Sequence, residues 1–381
     1  MKAVISIDSF KGSISTFESA EAVREAFLSV YPEGEAQLFP LADGGEGTTE
    51  AICAATGGML VSVPVTGPLG EKIRAEFGVI PRTRTAVIEM SAAAGLPLVP
   101  QEKRNPLYTT TMGVGELIRA ALEKGSRRLI IGIGGSATND GGAGMLSALG
   151  YRLLDEDGYD IPDGAIGLSR LAKIDASGAL PELSECEITV ASDVENPLCG
   201  ELGCSAVYAP QKGARPEDIE KMDGWLARYA ELAREVSAEA DPNFPGAGAA
   251  GGLGFALKAF LGARLTPGAE LVIKETGLSL AIAEADIVVT GEGRLDFQTS
   301  MGKAPMGVAR EAKKYGKTVI AFSGCIGKGA AACNEGGIDA FFPITREPLS
   351  LDDAMNPERA YENLRATAEQ AFRLYKAARG C

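Results

Sequence analysis

The sequence contains no histidine at all. That absence removes the Ser-His-Asp triad, imidazole metal sites and a histidine proton shuttle together. Any general acid or base must then be an Asp, Glu, Lys, Tyr or Cys. The seven cysteines (53, 186, 199, 204, 325, 333 and 381) are scattered, odd in number and never spaced C-x-x-C. Neither a disulfide framework nor a zinc ribbon is expected from them. No uninterrupted apolar run approaches the ~20 residues of a membrane span, and residues 1–7 already read as a short strand rather than as a signal peptide. The expected compartment is the cytoplasm. Basic residues are outnumbered, with 37 Lys+Arg against 51 Asp+Glu, which argues against nucleic acid or an anionic membrane as a partner. An anionic ligand must therefore be met by local positive charge. There is no Walker A motif, no low-complexity linker and no repeat of fixed period.

Glycine, by contrast, is plentiful, at 48 of 381 residues, with 20 prolines and a hydrophobic share of 45%. This is the composition of a turn-rich globular chain long enough for two domains. At the start, KAVISID reads as a strand. Ser15 and Glu18 have capping-box spacing, and apolar residues at 20, 23, 27 and 30 mark one face of a helix that ends before Pro32. AQLFPLADGG reads as a second strand and TTEAICAATGG as a second helix, so the chain opens βαβα, the rhythm of a parallel sheet. From Leu60, VSVPVT, KIRAEFGVI and TAVIEMS are short strands broken by GPLG and PRTR, which predicts an antiparallel meander. After a mixed middle, ADIVVTG, TVIAFSG and DAFFPI restore the opening rhythm, followed by a helix over 357–378. The economical arrangement is a discontinuous α/β domain made of 1–65 plus 285–381, carrying an inserted α/β domain over 66–284. The expected active site is the cleft between them.

Five loops share glycine with a carboxylate: DSFKGS (8–13), ADGGEGT (42–48), GGSATNDGGAG (134–144), ASDVENPLCG (191–200) and TGEGRLDFQTSMGKAP (290–305). In an open α/β sheet, ligands lie beyond the carboxyl ends of strands, where Asp8, Asp43, Asp193 and Asp296 are expected. Glycines 44, 45, 134, 135, 291 and 293 let backbone N–H groups approach phosphate oxygens. Lys11, Lys212, Arg294 and Lys303 offer positive charge, while Ser9, Ser136, Thr138, Asn139 and Asp140 offer polar groups. Such a set suits phosphoryl transfer, which needs placement, magnesium-binding carboxylates and charge neutralisation. The competing reading is a dinucleotide site, because Gly132, Gly134 and Ala137 fit G-x-G-x-x-G/A with Asp155 near the ribose-carboxylate distance. Asp155 belongs, however, to the turn-rich run LLDEDGYDIPDG. A second match, Gly246-x-Gly248-x-x-Gly251, has no strand before it.

The motifs IDSFKGSIS, LADGGEGT, GIGGSATNDGGAGM, ASDVENPLCG with APQKGA, GAGAAGGLG and VVTGEGRLDFQTSMGKAP together resemble the bacterial glycerate kinases of the first type, the glycerate 2-kinase group. Only Cys204 departs from that pattern, where a smaller residue is usual. The resemblance implies a flavodoxin-like parallel α/β domain interrupted by a second α/β domain. It also implies ATP-dependent phosphorylation of D-glycerate, typically to 2-phosphoglycerate, with magnesium. Formation of 3-phosphoglycerate, or hydroxy-acid oxidation with NAD, is the alternative, and self-association into a homo-oligomer is left open. Within this frame Asp193 is the expected base for the substrate hydroxyl, with Asp296 competing. Lys11 is expected to contact phosphate or the substrate carboxylate together with Arg294 and Lys303, and Asp8 and Asp43 to hold magnesium.

Overall fold

The structure, a computed structural model, describes every residue except Lys11, Asp43 and Cys381. Among the described residues the strands in chain order are β1 (Lys2–Ile5), β2 (Glu35–Leu38), β3 (Met59–Thr66), β4 (Lys72–Ile80), β5 (Thr85–Glu89), β6 (Arg128–Gly132) and β7 (Arg152–Leu154). They continue as β8 (Lys173–Asp175), β9 (Glu187–Ala191), β10 (Arg264–Thr266), β11 (Ile287–Leu295), β12 (Thr318–Ile326) and β13 (Ala340–Pro343).

The chain divides into two compact units, residues 1–43 with 269–381, and residues 44–268. Both bounds lie earlier in the chain than the 65/66 and 284/285 expected from sequence. The first shifts because the helix Thr48–Thr56 packs on β4 and β5, and β3 pairs with β4 along its whole length. The second shifts because Leu278, Ala281 and Ile282 share one apolar cluster with Val4 and Val288.

In the first unit, five parallel strands run in the order β13-β12-β11-β1-β2. Counted within the unit this is the flavodoxin-like order 2-1-3-4-5, whose topological switch point falls between its first and third strands, here β1 and β11. The inner strands are largely apolar because both faces are covered, while the edge strand β2 exposes Glu35. Along β1 and the residues after it, Ala3, Ile5 and Ile7 point to a layer containing Phe27 and Phe372, while Val4 points to the opposite layer with Met306 and Val308. Phe27 comes from the helix Thr16–Val30, whose Ser15 cap accepts from the Glu18 N–H while the Glu18 carboxylate accepts from Ser15 N. Phe372 comes from the helix Pro357–Ala378, and the two rings meet edge to face at 5.3 Å.

The second unit carries a mixed six-stranded sheet, β10-β9-β6-β5-β4-β3. The meander β3-β4-β5 is antiparallel, as its alternation predicts, and β5, β6, β9 and β10 are parallel. A separate ribbon pairs β7 with β8. Two backbone stretches meet at the end of β6. A Cβ on Gly132 would lie 2.4 Å from the Gly44 carbonyl oxygen, and one on Gly134 would lie 3.0 Å from Gly45 Cα. Gly132→Ala is therefore expected to destabilise the protein by about 1–3 kcal/mol through overpacking. A thermal unfolding midpoint equal to that of the wild type would show that the loop does not rest there.

Candidate active site

Backbone pairing between β1 and β11 continues past Ile5: Ser6 N donates to Val289 O at 2.8 Å and Asp8 N to Gly291 O at 2.9 Å. This carries Asp8 to the carboxyl end of the first sheet, beside the end of β11. Gly291 is required there, because a Cβ would meet the Phe322 carbonyl oxygen of β12 at 2.1 Å. A pocket of about 470 Å³ opens at this edge, and its lining includes Asp8, Ser9, Glu292, Gly293, Arg294, Asp296 and Lys303. It lies within the first unit and at the switch point, where open α/β sheets bind ligands.

The polar part of the pocket's lining is organised by short-range bonds. Asp296 caps the turn Phe297–Ser300, its Oδ1 accepting from Gln298 N at 2.9 Å, and its Oδ2 lies 3.4 Å from Arg294 Nε. The Arg294 side chain is exposed and Lys303 half-exposed. Asp8 Oδ1 accepts from Ser9 N at 2.7 Å. Glu292 was not singled out from the sequence. Its carboxylate is buried, accepts from the Thr299 hydroxyl at 2.5 Å and stands 4.0 Å from Lys303 Nζ. Burial pushes this carboxyl above the usual glutamate range, and the charges of Asp8 and Asp296 push the same way, while Thr299 and Lys303 pull it down. The available signal was alternation: Glu292, Arg294 and Asp296 are spaced by two along and just past an extended strand and line the same pocket. Among the described residues no group of three or more Cys, Asp or Glu is arranged to hold a metal ion by itself. Lys11 and Asp43, expected at the site, lie outside the described residues.

The remaining candidates belong to the second unit. Gly44, Gly45 and Gly134 meet as described, Gly135 adopts a positive φ of 74°, and Ser136 pairs with Gly95 in a single bridge. Here Gly134, Gly135 and Ser136 are half-buried or exposed, but the residues after them turn inward. Thr138, Asn139 and Asp140 are fully buried. Asp140 accepts from Thr111 N (2.9 Å), Thr111 Oγ1 (2.8 Å), Gly142 N (3.2 Å) and Gly144 N (3.3 Å). It ties the loop to the helix Met112–Glu123 and does not present its carboxylate to a ligand, contrary to the sequence expectation. Asn139 Nδ2 donates to Ser205 Oγ at 2.9 Å. Lys212, expected as a mobile cation, is likewise buried, with Nζ donating to Thr138 O at 2.7 Å. Burial pushes its amine down to about 8, against the opposing pull of Cys204 and Asp140. Asp193 is different: it is exposed just beyond β9, and its Oδ1 accepts from Gly268 N at 2.9 Å.

The dinucleotide reading fails on the same geometry. Gly132 and Gly134 leave room for the chain's own residues 44 and 45 instead of a pyrophosphate. Asp155 follows β7, outside the parallel part of the sheet. It accepts from the N–H groups of Asp157 and Tyr159 in its own turn and pairs with Arg170 at 2.6 Å. The glycines of 246–252 are also structural, since a Cβ on Gly251 would lie 2.1 Å from the Thr138 carbonyl oxygen.

Comparison with known proteins gives the family. The model of the glycerate kinase family matches residues 3–376. A glycerate kinase of Bacillus subtilis (strain 168) is 49% identical over 368 residues, covering 97% of this chain and 96% of that one. A glycerate 2-kinase of Escherichia coli (strain K12) is 48% identical over 364 residues, covering 96% and 95%. A crystal structure from Salmonella typhimurium LT2, provisionally named glycerate kinase 2, matches with a TM-score of 0.90 at 49% identity over the whole of both chains. This chain belongs to the glycerate kinase family.

Proposed function

We propose that this protein transfers the γ-phosphoryl group of ATP to a hydroxyl of D-glycerate, giving 2-phosphoglycerate and ADP. The observation that carries the reading is the pocket at the switch point of the first sheet, where three carboxylates (Asp8, Glu292, Asp296) stand with two cations (Arg294, Lys303) in a chain of this family. Phosphoryl transfer has little covalent chemistry for a protein to do, and catalysis rests on positioning and on neutralising charge. Arg294 and Lys303 are half-exposed to exposed and therefore available to phosphate oxygens, a task we assign also to Lys11. Asp193 is the proposed base or orienting group for the attacking hydroxyl, because it is an exposed strand-end carboxylate whose rotamer is fixed by Gly268 N. Glycines 44, 45, 134 and 135 with Ser136 are the proposed backbone and hydroxyl contacts to glycerate or phosphate.

Magnesium fits this donor set. The ion keeps several waters and is held by one or two carboxylates together with the nucleotide's own phosphates, so a cage of three protein ligands is not needed. Asp8 is the proposed protein ligand among the described residues, with Asp43 as its partner. The bound ion would neutralise charge on the transferring phosphate. Among the described residues no helix is long and apolar enough to cross a membrane, and with ATP as donor the cytoplasm is the proposed compartment.

The test is direct. Purified protein with D-glycerate, ATP and magnesium is expected to release ADP, and resolution of the products is expected to give 2-phosphoglycerate. Product at position 3 would correct the regiochemistry. No ADP with D-glycerate would overturn the reading.

A further inference from the structure

The pocket in the first unit is lined by charged and by apolar residues. Besides the charged residues, its lining includes the apolar side chains of Phe10, Ile344, Leu349, Leu351, Ala354 and Met355. Two polar side chains, Thr345 and Asn363, also line it. A three-carbon hydroxy acid has no apolar surface to set against such residues, and polar groups buried there without partners would cost several kcal/mol. At about 470 Å³ the pocket is also in the range that encloses a ligand of roughly drug size, ~300–1,000 Å³.

We infer that this pocket is the nucleotide site: the apolar residues take the adenosine of ATP, and the charged residues take its phosphates. The inference rests on the kinase reading above and assigns one of its two substrates to the first unit. The chemistry matches end to end. A purine is flat and apolar on its faces, which suits Phe10, Ile344 and Met355. Its edge carries hydrogen-bonding atoms of both kinds, which suits the carboxamide of Asn363 and the hydroxyl of Thr345. Lys303 and Arg294 supply positive charge for the triphosphate. Lys303 also precedes the helix Ala304–Lys314, whose dipole favours an anion near its start. Asp8, Glu292 and Asp296 would repel a triphosphate unless a divalent cation stood between them, so the acidic edge selects the metal-bound nucleotide over the free one.

The walls have separate origins in the chain. Phe10 follows β1, Ile344 follows β13, and Leu351 and Ala354 belong to the short helix Leu351–Ala354. Asn363 comes from the helix Pro357–Ala378. Apart from Phe10, which belongs to the loop 8–13, none of these residues lies in the glycine-rich loops that the sequence marks as chemical. They line the pocket because they cluster at the carboxyl edge of one sheet.

Two variants test the assignment. Ala354→Trp fills the space among the apolar residues, and Asn363→Ala removes the polar group without adding bulk. Each is expected to weaken ADP binding, measured by calorimetry with magnesium and no glycerate, by about tenfold or more, and to raise KM for ATP in step while KM for D-glycerate stays within about twofold. Unchanged ADP affinity in both variants, or a raised KM for D-glycerate alone, would overturn the inference while leaving the kinase reading intact. Wild-type protein that binds ADP with this variant sensitivity but does not phosphorylate glycerate would have the opposite meaning: the nucleotide site would stand and the substrate assignment would fall.

Discussion

Asp193→Asn is expected to lower kcat for glycerate phosphorylation by about 10²- to 10⁴-fold, the usual contribution of a positioned base. The substitution keeps the hydrogen bond that anchors the side chain. Asn retains an oxygen that can accept from Gly268 N, so the junction between β10 and the following helix keeps its hydrogen bond. The side chain is exposed, so no buried charge is stranded by the change. A fall in kcat with KM for both substrates nearly constant would mark an interaction made in the transition state only. Asp296→Asn is the matched comparison. Asparagine caps a helical turn about as well as aspartate, so the bond from Gln298 N survives. The ion pair lost with Arg294 is at an exposed guanidinium and contributes little to stability. Both variants should therefore fold, which a thermal melt checks. Near-normal turnover in Asp193→Asn with a large loss in Asp296→Asn would move the base role to Asp296.

Local rules carried much of the fold. The helix Thr16–Val30 was legible because its cap, its 3.6-residue stripe and its stop before Pro32 are all encoded within one short stretch. The meander β3-β4-β5 was legible for the same reason, since alternation and turn residues are properties of neighbours. The domain bounds were not, because they depend on which sheet the helix Thr48–Thr56 packs against and on which core takes Leu278, Ala281 and Ile282, and both are long-range matters. Site residues divide along the same line. Asp8, Arg294, Asp296 and Lys303 all line one pocket, and each lies at the end of a strand or the start of a helix that periodicity could locate. Thr138, Asn139, Asp140 and Lys212 look equally polar in sequence, yet all four are buried. Their partners Thr111 and Ser205, and Lys212 itself, come from distant parts of the chain, and burial of that kind has no local signature. Glu292 escaped notice because a strand-end glutamate between two glycines resembles a turn residue until β12 is placed beside it.

Lys212→Met is expected to be more stable relative to wild type at neutral pH than at alkaline pH. The Lys212 amine sits in the folded protein at about 8, below its ordinary 10.5, because burial disfavours the charged form. Below about pH 8 the amine is protonated in both the folded and the unfolded chain, and the folded protein carries the full cost of the buried charge. Between about 8 and 10.5 the folded protein has released the proton while the unfolded chain still holds it, so the unfolded state binds more protons and wild-type stability rises with pH. A displacement of this size corresponds to about 3 kcal/mol in full, of which about 2 kcal/mol is recovered by pH 9.5. The facing groups are Cys204, pushed up to about 11, and Asp140, raised by its own burial. Both remain in the variant, so their own titrations largely cancel in the difference between the two proteins. Methionine matches the lysine stem in length but leaves the Thr138 carbonyl without its donor, which sets a constant offset and not a pH dependence. The measurement is the difference in unfolding free energy between variant and wild type at about pH 7 and pH 9.5. A difference that does not change over that window would show that Lys212 keeps its ordinary affinity for a proton, and that the loop 134–144 is solvated around it.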